Sequence, residues 1–243
     1  MQHPAQSRVA PGPRSAVVFD CDGLLITTER AWDLAYESLF TRHGAQLDPA
    51  GRNRLRGLGL EAVGRVLSEL LHQVLPAAVL ASQALDLMES HLEEVIAPMP
   101  GAVDLVAELS GTRPLAVASN APTDVVRAHL QRFFDLADLV IIGGDMVRSP
   151  KPQPEIYLAA CEVLASPPAQ TWALEDSATG ATAAYAAGLY VVGVPQSSAG
   201  MLPCHIAVNA LDDPRLHRAL IRRPAPESPH TSDGRLPHSE ATD

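Results

Sequence analysis

Residues Val17 to Leu25 read VVFDCDGLL, an apolar run closed by two carboxylates two positions apart. Asp and Gly are poor strand formers, and like charges this close repel. Packing alone gives a buried strand no reason to end this way. In extended backbone, residues i and i+2 point to the same side. Asp20 and Asp22 can therefore face one site, while Cys21 points the other way, into the sheet.

Working outward, similar apolar runs bounded by turn residues recur at 114–119, 139–144, 171–176 and 190–195, with a weaker one at 205–209. The first of the series spans 16–20. None shows the alternation of a half-exposed strand, which is the pattern of strands buried on both faces of a parallel sheet. Helical patterns at 122–132, 153–165 and 178–187 separate the later runs. Asn120 or Ala121 is expected near the start of the first of these helices, with Pro122 in its first turn. Strand–helix alternation predicts an open parallel α/β sheet with right-handed crossovers.

One interval breaks the rhythm. Residues 29–97 hold helical patterns at 29–43, 61–75 and 77–97 and no strand candidate. That is too long for a single crossover connection. It reads as a helical insertion directly after the first strand. The expected organisation is a flexible arm at 1–14, an α/β core from 15–28 and 98–222, the inserted helical domain at 29–97, and a tail at 223–243. The tail, rich in Pro, Ser, His and acids, cannot bury enough apolar surface to order itself. Its His230 and His238 are set aside as metal ligands on the same ground.

The 243 residues carry a formal charge of −10. That opposes a nucleic-acid or anionic-membrane partner, since both need a basic face. It does not oppose a small anionic substrate, because a bound cation reverses the local sign. Three cysteines without a CxxC pairing argue against a disulfide scaffold and for a reducing compartment. The first residues lack an apolar signal core, and no apolar run reaches membrane-span length, so a cytoplasmic location is expected.

In an open α/β sheet, ligands gather at the carboxyl ends of the strands. Here those ends carry Asp20 and Asp22, then Ser119 and Asn120, then Lys151 in RSPKPQPE, then Glu175 and Asp176. Each signal has an ordinary reading by itself. A lone DxD is common on surfaces, a lone lysine is usually solvated, and SN or EDS can simply cap a helix. Their joint placement at strand ends is the specific feature. Four carboxylates on one edge repel strongly without a cation, and hard oxygen ligands in an open site suit Mg2+. Lys151 adds positive charge toward the same anion. Ser119 and backbone N–H groups at the following helix start can hold phosphate oxygens.

The segments FDCDGLL, ASN, KPQPEIY and LEDSATGATAAYAAG resemble the four motifs of the haloacid dehalogenase-like hydrolases. The match is to the branch with a helical cap after the first strand, which includes β-phosphoglucomutase-like phosphatases. The resemblance covers about 16–210. It implies an open parallel Rossmann-like sheet with helices on both faces, plus an inserted α-helical cap domain. It also implies that Asp20 attacks phosphorus to form an aspartyl-phosphate and that Asp22 serves as general acid and then base. Ser119, Asn120 and Lys151 would bind or orient the phosphoryl group, Asn120 either directly or through its loop. Asp20, Asp176, Glu175 and the backbone carbonyl of Asp22 would serve the Mg2+. Thr27 departs from the family pattern, which has an aspartate there. This bears on cap docking or substrate fit, not on hydrolysis.

Within the family, Asp22 argues against a dehalogenase. The absence of lysine between 30 and 97 argues against a phosphonatase, which recruits a cap lysine. Mutases of the β-phosphoglucomutase type carry G-x-S-R-x-x-S in the cap to grip a second phosphate. Gly59, Leu60 and Val63 stand at the polar positions of that pattern here. Arg52, Arg54, Arg56 and Arg65 lie nearby and read as an exposed basic helix face. The expectation is a Mg2+-dependent phosphatase acting on a small phosphorylated metabolite, sugar- or polyol-phosphate-like. A hexose phosphomutase is the alternative, and a non-catalytic phospho-ligand-binding protein stands further back. Oligomeric state stays open, with a monomer or weak homodimer expected.

Overall fold

A computed structural model describes residues 9–12, 14–55, 58, 60–195 and 202–221. The expected arm at 1–14 is described only in part, and the expected tail at 223–243 lies outside the described residues, as do Arg56 and Gly59.

The apolar runs form strands. β1 (Val17–Phe19) is followed in chain order by a short β2 (Ile26–Thr27) and β3 (Ala97–Pro98). Then come β4 (Leu115–Ala118), β5 (Leu139–Ile142), β6 (Trp172–Glu175), β7 (Tyr190–Gly193) and β8 (Ile206–Ala207). Six of them make one sheet in the order β5-β4-β1-β6-β7-β8, parallel throughout. β1 thus has neighbours on both sides, which is why its run is apolar without alternation. Val17 and Phe19 face one core layer and Val18 the other.

Helices cover both faces. α5 (Ala102–Leu109), α6 (Thr123–Leu130) and α9 (Pro214–Ile221) pack their apolar stripes on the face of Phe19, Val117 and Leu174. α7 (Glu155–Val163) and α8 (Ala178–Ala187) pack on the face of Val18, Ala116 and Ala173. α8 buries Gly180, Ala181, Ala183 and Ala184, and these small side chains let it approach the sheet closely.

Among the described residues, helices dominate the interval 29–95. It holds α1 (Glu29–Arg42), α2 (Pro49–Leu55), α3 (Leu60–Leu70) and α4 (Ala77–Val95). The helical pattern at 61–75 runs past the end of α3 at Leu70 into the turn at 71–73, where His72 and Gln73 take positive φ. Helices α2, α5 and α9, of seven or eight residues each, are additional to the patterns read in the sequence. β2 and β3 pair antiparallel, Ile26 against Pro98 and Thr27 against Ala97. This ribbon carries both chain crossings between the sheet and the helical insertion side by side.

The register sets the chemistry. Phe19 is level with Val117 and Leu174, so one step further along brings Asp20 level with Ala118 and Glu175. The Asp20 amide donates to the Leu174 carbonyl at 3.0 Å, and the Ser119 amide to the Ile142 carbonyl at 3.1 Å. The three central strands therefore end in one polar row.

Candidate active site

Asp20, Lys151 and Glu175 form a buried charged core at that row. Lys151 Nζ donates to Asp20 Oδ1 at 2.5 Å and to Glu175 Oε1 at 2.7 Å. Lys151 is the single lysine of the chain. Glu175 is fully buried and takes two further donors, the Tyr157 hydroxyl on Oε1 and Ser177 Oγ on Oε2, the latter at 3.2 Å. The Tyr157 ring also lies 5.0 Å from the lysine nitrogen, within cation–π range.

Ser177 caps α8, its oxygen accepting the Gly180 amide at 3.1 Å. Within the EDS segment, Ser177 is therefore the cap. Gly180 explains itself here: a Cβ on it would lie 1.8 Å from Glu175 Oε1. The glycine clears the seat of the buried carboxylate.

Asp176 follows β6 and turns toward Asp20. Carboxylate oxygens of Asp20, Glu175 and Asp176 lie within 4.8 Å of one another. One ammonium faces three carboxylates, so the group is short of positive charge. Burial raises the Asp176 carboxyl to about 8, and the charges of Asp20 and Glu175 push the same way. Burial also raises Asp20 and Glu175, with Lys151 opposing in both cases. Burial alone would depress the Lys151 ammonium, yet Asp20 and Glu175 hold it charged well above the usual lysine range. Asp176 Oδ1 is buried without a hydrogen-bond partner. An orphaned buried oxygen beside clustered carboxylates fits a divalent cation held by oxygen.

Asp22 stands apart from that triplet. Its carboxylate accepts from Ser119 Oγ at 3.2 Å, and Ser119 Oγ in turn accepts the Ala121 amide at 3.1 Å. Asp22 reaches solvent at the site's mouth while protein crowds its other sides. That crowding raises its carboxyl above the usual range, against the pull of the Ser119 bond and Lys151. Gly23 turns the chain with φ of 88°, and a Cβ there would sit 2.2 Å from Asp176 Oδ2. Cys21 is buried, and burial followed by the two aspartates pushes its thiol well up. A buried thiol pushed up in this way is a poor nucleophile.

Asn120 holds the lysine loop. Its Nδ2 donates to the Lys151 carbonyl at 3.1 Å, and its Oδ1 accepts the Lys151 amide at 2.9 Å. Of the alternatives, loop or phosphate oxygen, the contacts made are to the loop. α6 begins after Pro122 without a side-chain cap from Asn120 or Ala121. Instead, Asp145 Oδ1 accepts the Thr123 amide and hydroxyl, both at 2.8 Å.

The structure brings Asp20, Asp22, Ser119, Asn120, Lys151, Glu175 and Asp176 to one edge of the sheet: hydrogen bonds join Asn120, Lys151, Asp20 and Glu175, Asp176 lies beside the carboxylates, and Asp22 and Ser119 form a separate pair. The sequence reading had missed Tyr157, Ser177 and Gly180 as supports of this site. The signal for Gly180 was a glycine in an otherwise alanine-rich first turn. Tyr157 gave none, because its contact with Glu175 is purely tertiary. A cavity of about 1170 Å3 lies elsewhere, at the amino ends of the strands around Arg14, Arg113 and Gln170. It is remote from every carboxylate of the site.

The chain is similar to several known proteins. Residues 15–188 match the family model for haloacid dehalogenase-like hydrolase. Fructose-1-phosphate phosphatase YqaB of Escherichia coli is 29% identical over 185 residues, covering 74% of this chain and 96% of the relative. Validoxylamine A 7'-phosphate phosphatase of Streptomyces hygroscopicus is 34% identical over 184 residues, covering 73% and 84%. The crystal structure of CbbY from Rhodobacter sphaeroides in complex with xylulose-(1,5)bisphosphate superposes with a TM-score of 0.63 at 27% identity, covering 86% of this chain and 99% of that one. The chain therefore belongs to the haloacid dehalogenase-like hydrolases.

Proposed function

We propose that this hydrolase is a Mg2+-dependent phosphatase of a small phosphorylated metabolite, sugar- or polyol-phosphate-like, working through an aspartyl-phosphate on Asp20. The observation that carries this reading is the Asp20–Lys151–Glu175 core with Asp176 beside it, at the carboxyl ends of the central strands. The names of the relatives, which include a fructose-1-phosphate phosphatase, support the substrate class.

Asp20 and Asp176 would hold the Mg2+ together with the Asp22 backbone carbonyl, and Glu175 would serve it through water, since its oxygens already take three donors. When bound, Mg2+ supplies Lewis-acid neutralisation of charge on the phosphoryl oxygens. Asp20 Oδ attacks phosphorus, and the bond to the leaving oxygen breaks. Asp22, its carboxyl raised and facing the mouth, protonates that oxygen. Water then attacks phosphorus, Asp22 takes its proton, and the bond to Asp20 breaks to release phosphate. Lys151 and the Ser119 hydroxyl stabilise the transferring group. Asn120 acts on the phosphoryl group through the loop it holds. Residues 29–97 act as the cap over the site.

The cap favours a monophosphate. Arg52 is paired with Asp33 at 3.0 Å and Glu37 at 2.8 Å, Arg65 with Glu61 at 2.5 Å, and Arg54 with Glu69. These three guanidinium groups already have carboxylate partners, which weighs against the grip on a second phosphate that a mutase needs. The test is turnover of p-nitrophenyl phosphate and a panel of sugar and polyol phosphates with Mg2+, with EDTA and Asp20→Asn as controls. Phosphate release that EDTA and Asp20→Asn both stop supports the reading. Isomerisation without phosphate release would establish the mutase instead. A folded, metal-loaded protein inert on the whole panel would leave a binding protein.

A further inference from the structure

The segment that delivers Lys151 is thinly packed. Asp145, Met146 and residues 148–150 are exposed, yet the next residue is a buried ammonium. Val147 alone in that stretch packs against the core. The lysine's position therefore depends on hydrogen bonds to the loop backbone. Glu155, the first residue of α7, turns its carboxylate back over the loop: Oε1 accepts the Arg148 amide at 3.0 Å and Oε2 the Ser149 amide at 2.9 Å. Asn120 fastens the other end, at Lys151 itself. Among the described residues, these two side chains make the side-chain bonds to the backbone of 147–151.

We propose that Glu155 is a positioning residue for Lys151, fixing the entry limb of the loop so that the ammonium reaches the phosphoryl group. The proposal rests on the reading of Lys151 given above. An acid in the first turn of a helix also has an ordinary role, since it favours the positive end of the helix dipole. The two roles separate by reach. Glu155→Asp keeps the charge at the helix end but is too short to accept both amides. Glu155→Ala loses charge and bonds together.

Because the chain has one lysine, amine labelling reads its position directly. Protein in Mg2+ buffer is treated with trinitrobenzenesulfonate, and the Lys151 peptide is followed by mass spectrometry, apart from the terminal amine. In wild type, Lys151 is shielded and held by two carboxylates, so labelling is slow. Both variants are expected to label about tenfold faster or more and to lose about 10- to 100-fold in kcat, as misplacement by an ångström does. KM is expected to move little, because the lysine acts mainly in the transition state. A helix-end role alone predicts wild-type labelling and kcat for Glu155→Asp, and that result overturns the proposal. So does a fall in kcat without faster labelling. If Glu155→Ala fails to fold by circular dichroism, Glu155→Asp decides. Lys151→Met distinguishes the two levels of the argument. If it keeps full activity, the reading of the site fails. If it is inactive while the Glu155 variants behave as wild type, only the positioning proposal fails.

Discussion

Gly180→Ala tests the buried carboxylate seat through the sign of its effect. The added methyl would lie 1.8 Å from Oε1, 2.1 Å from Cδ and 2.2 Å from Oε2 of Glu175. Glu175 has no accessible surface and cannot swing outward without leaving Lys151, Tyr157 and Ser177. Breaking a buried ion pair from one side costs about 3–5 kcal/mol. Lys151 keeps Asp20 as a partner, which places the loss at the lower end, about 3 kcal/mol. Alanine recovers up to about 1 kcal/mol of helix propensity. The net is about 2 kcal/mol of destabilisation, and for a chain of this size that lowers Tm by about 4–8 °C. Scanning calorimetry of the purified variant measures it, with p-nitrophenyl phosphate turnover falling in parallel. A Tm that rises, with turnover intact, is what an ordinary helical glycine gives. It would refute the claim that this position exists to seat Glu175.

Tyr157→Phe removes one donor from a buried carboxylate and is expected to cost about 1.5–3 kcal/mol in urea unfolding; a loss within experimental error would show that the hydroxyl is not a partner Glu175 needs. Asn120→Ala frees the Lys151 backbone at both bonds and is expected to lower kcat about 10- to 100-fold with a smaller effect on KM, read from steady-state kinetics; unchanged kcat would contradict its role. The raised carboxyl of Asp176 makes stability depend on pH in a definite direction. The folded metal-free protein holds that proton up to about 8 while the unfolded chain releases it near its ordinary value. Stability of the EDTA-treated protein should therefore fall as pH rises from about 4 through 8, and Mg2+ should raise Tm more at the upper end of that range than at the lower. Equal Mg2+ stabilisation at both ends would count against Asp176 as a ligand.

Much of the sheet was legible because burial on both faces leaves a plain mark. VVF, LAVA, LVII, WAL and YVVG are apolar without alternation, and three of them run straight into a polar residue, Asp20, Ser119 and Glu175. The sheet order was not legible, since nothing in a run of valines says which neighbour it takes. The β2–β3 ribbon escaped because two residues cannot show a period. At the site, the reading placed Asp20, Asp22, Ser119, Asn120, Lys151, Glu175 and Asp176 on strand ends, and the fold does bring those ends together. It could not tell a carboxylate aimed at a metal from one holding a lysine. Glu175 is separated from Lys151 by 24 residues and from Tyr157 by 18, so these two donors meet it only in the folded chain. Glu155 was hidden for the opposite reason. Its bonds are local, and an acid at a helix start looks ordinary in any sequence.

The most direct test of the whole account is to trap the covalent intermediate. The protein is mixed with a turned-over phosphate ester and Mg2+, quenched and reduced with borohydride, which converts an aspartyl-phosphate to homoserine, and then mapped by mass spectrometry. The account predicts homoserine at position 20 alone, and only when substrate is present. Rapid turnover with Asp20 unmodified, or with the label at position 22 or elsewhere, would contradict it.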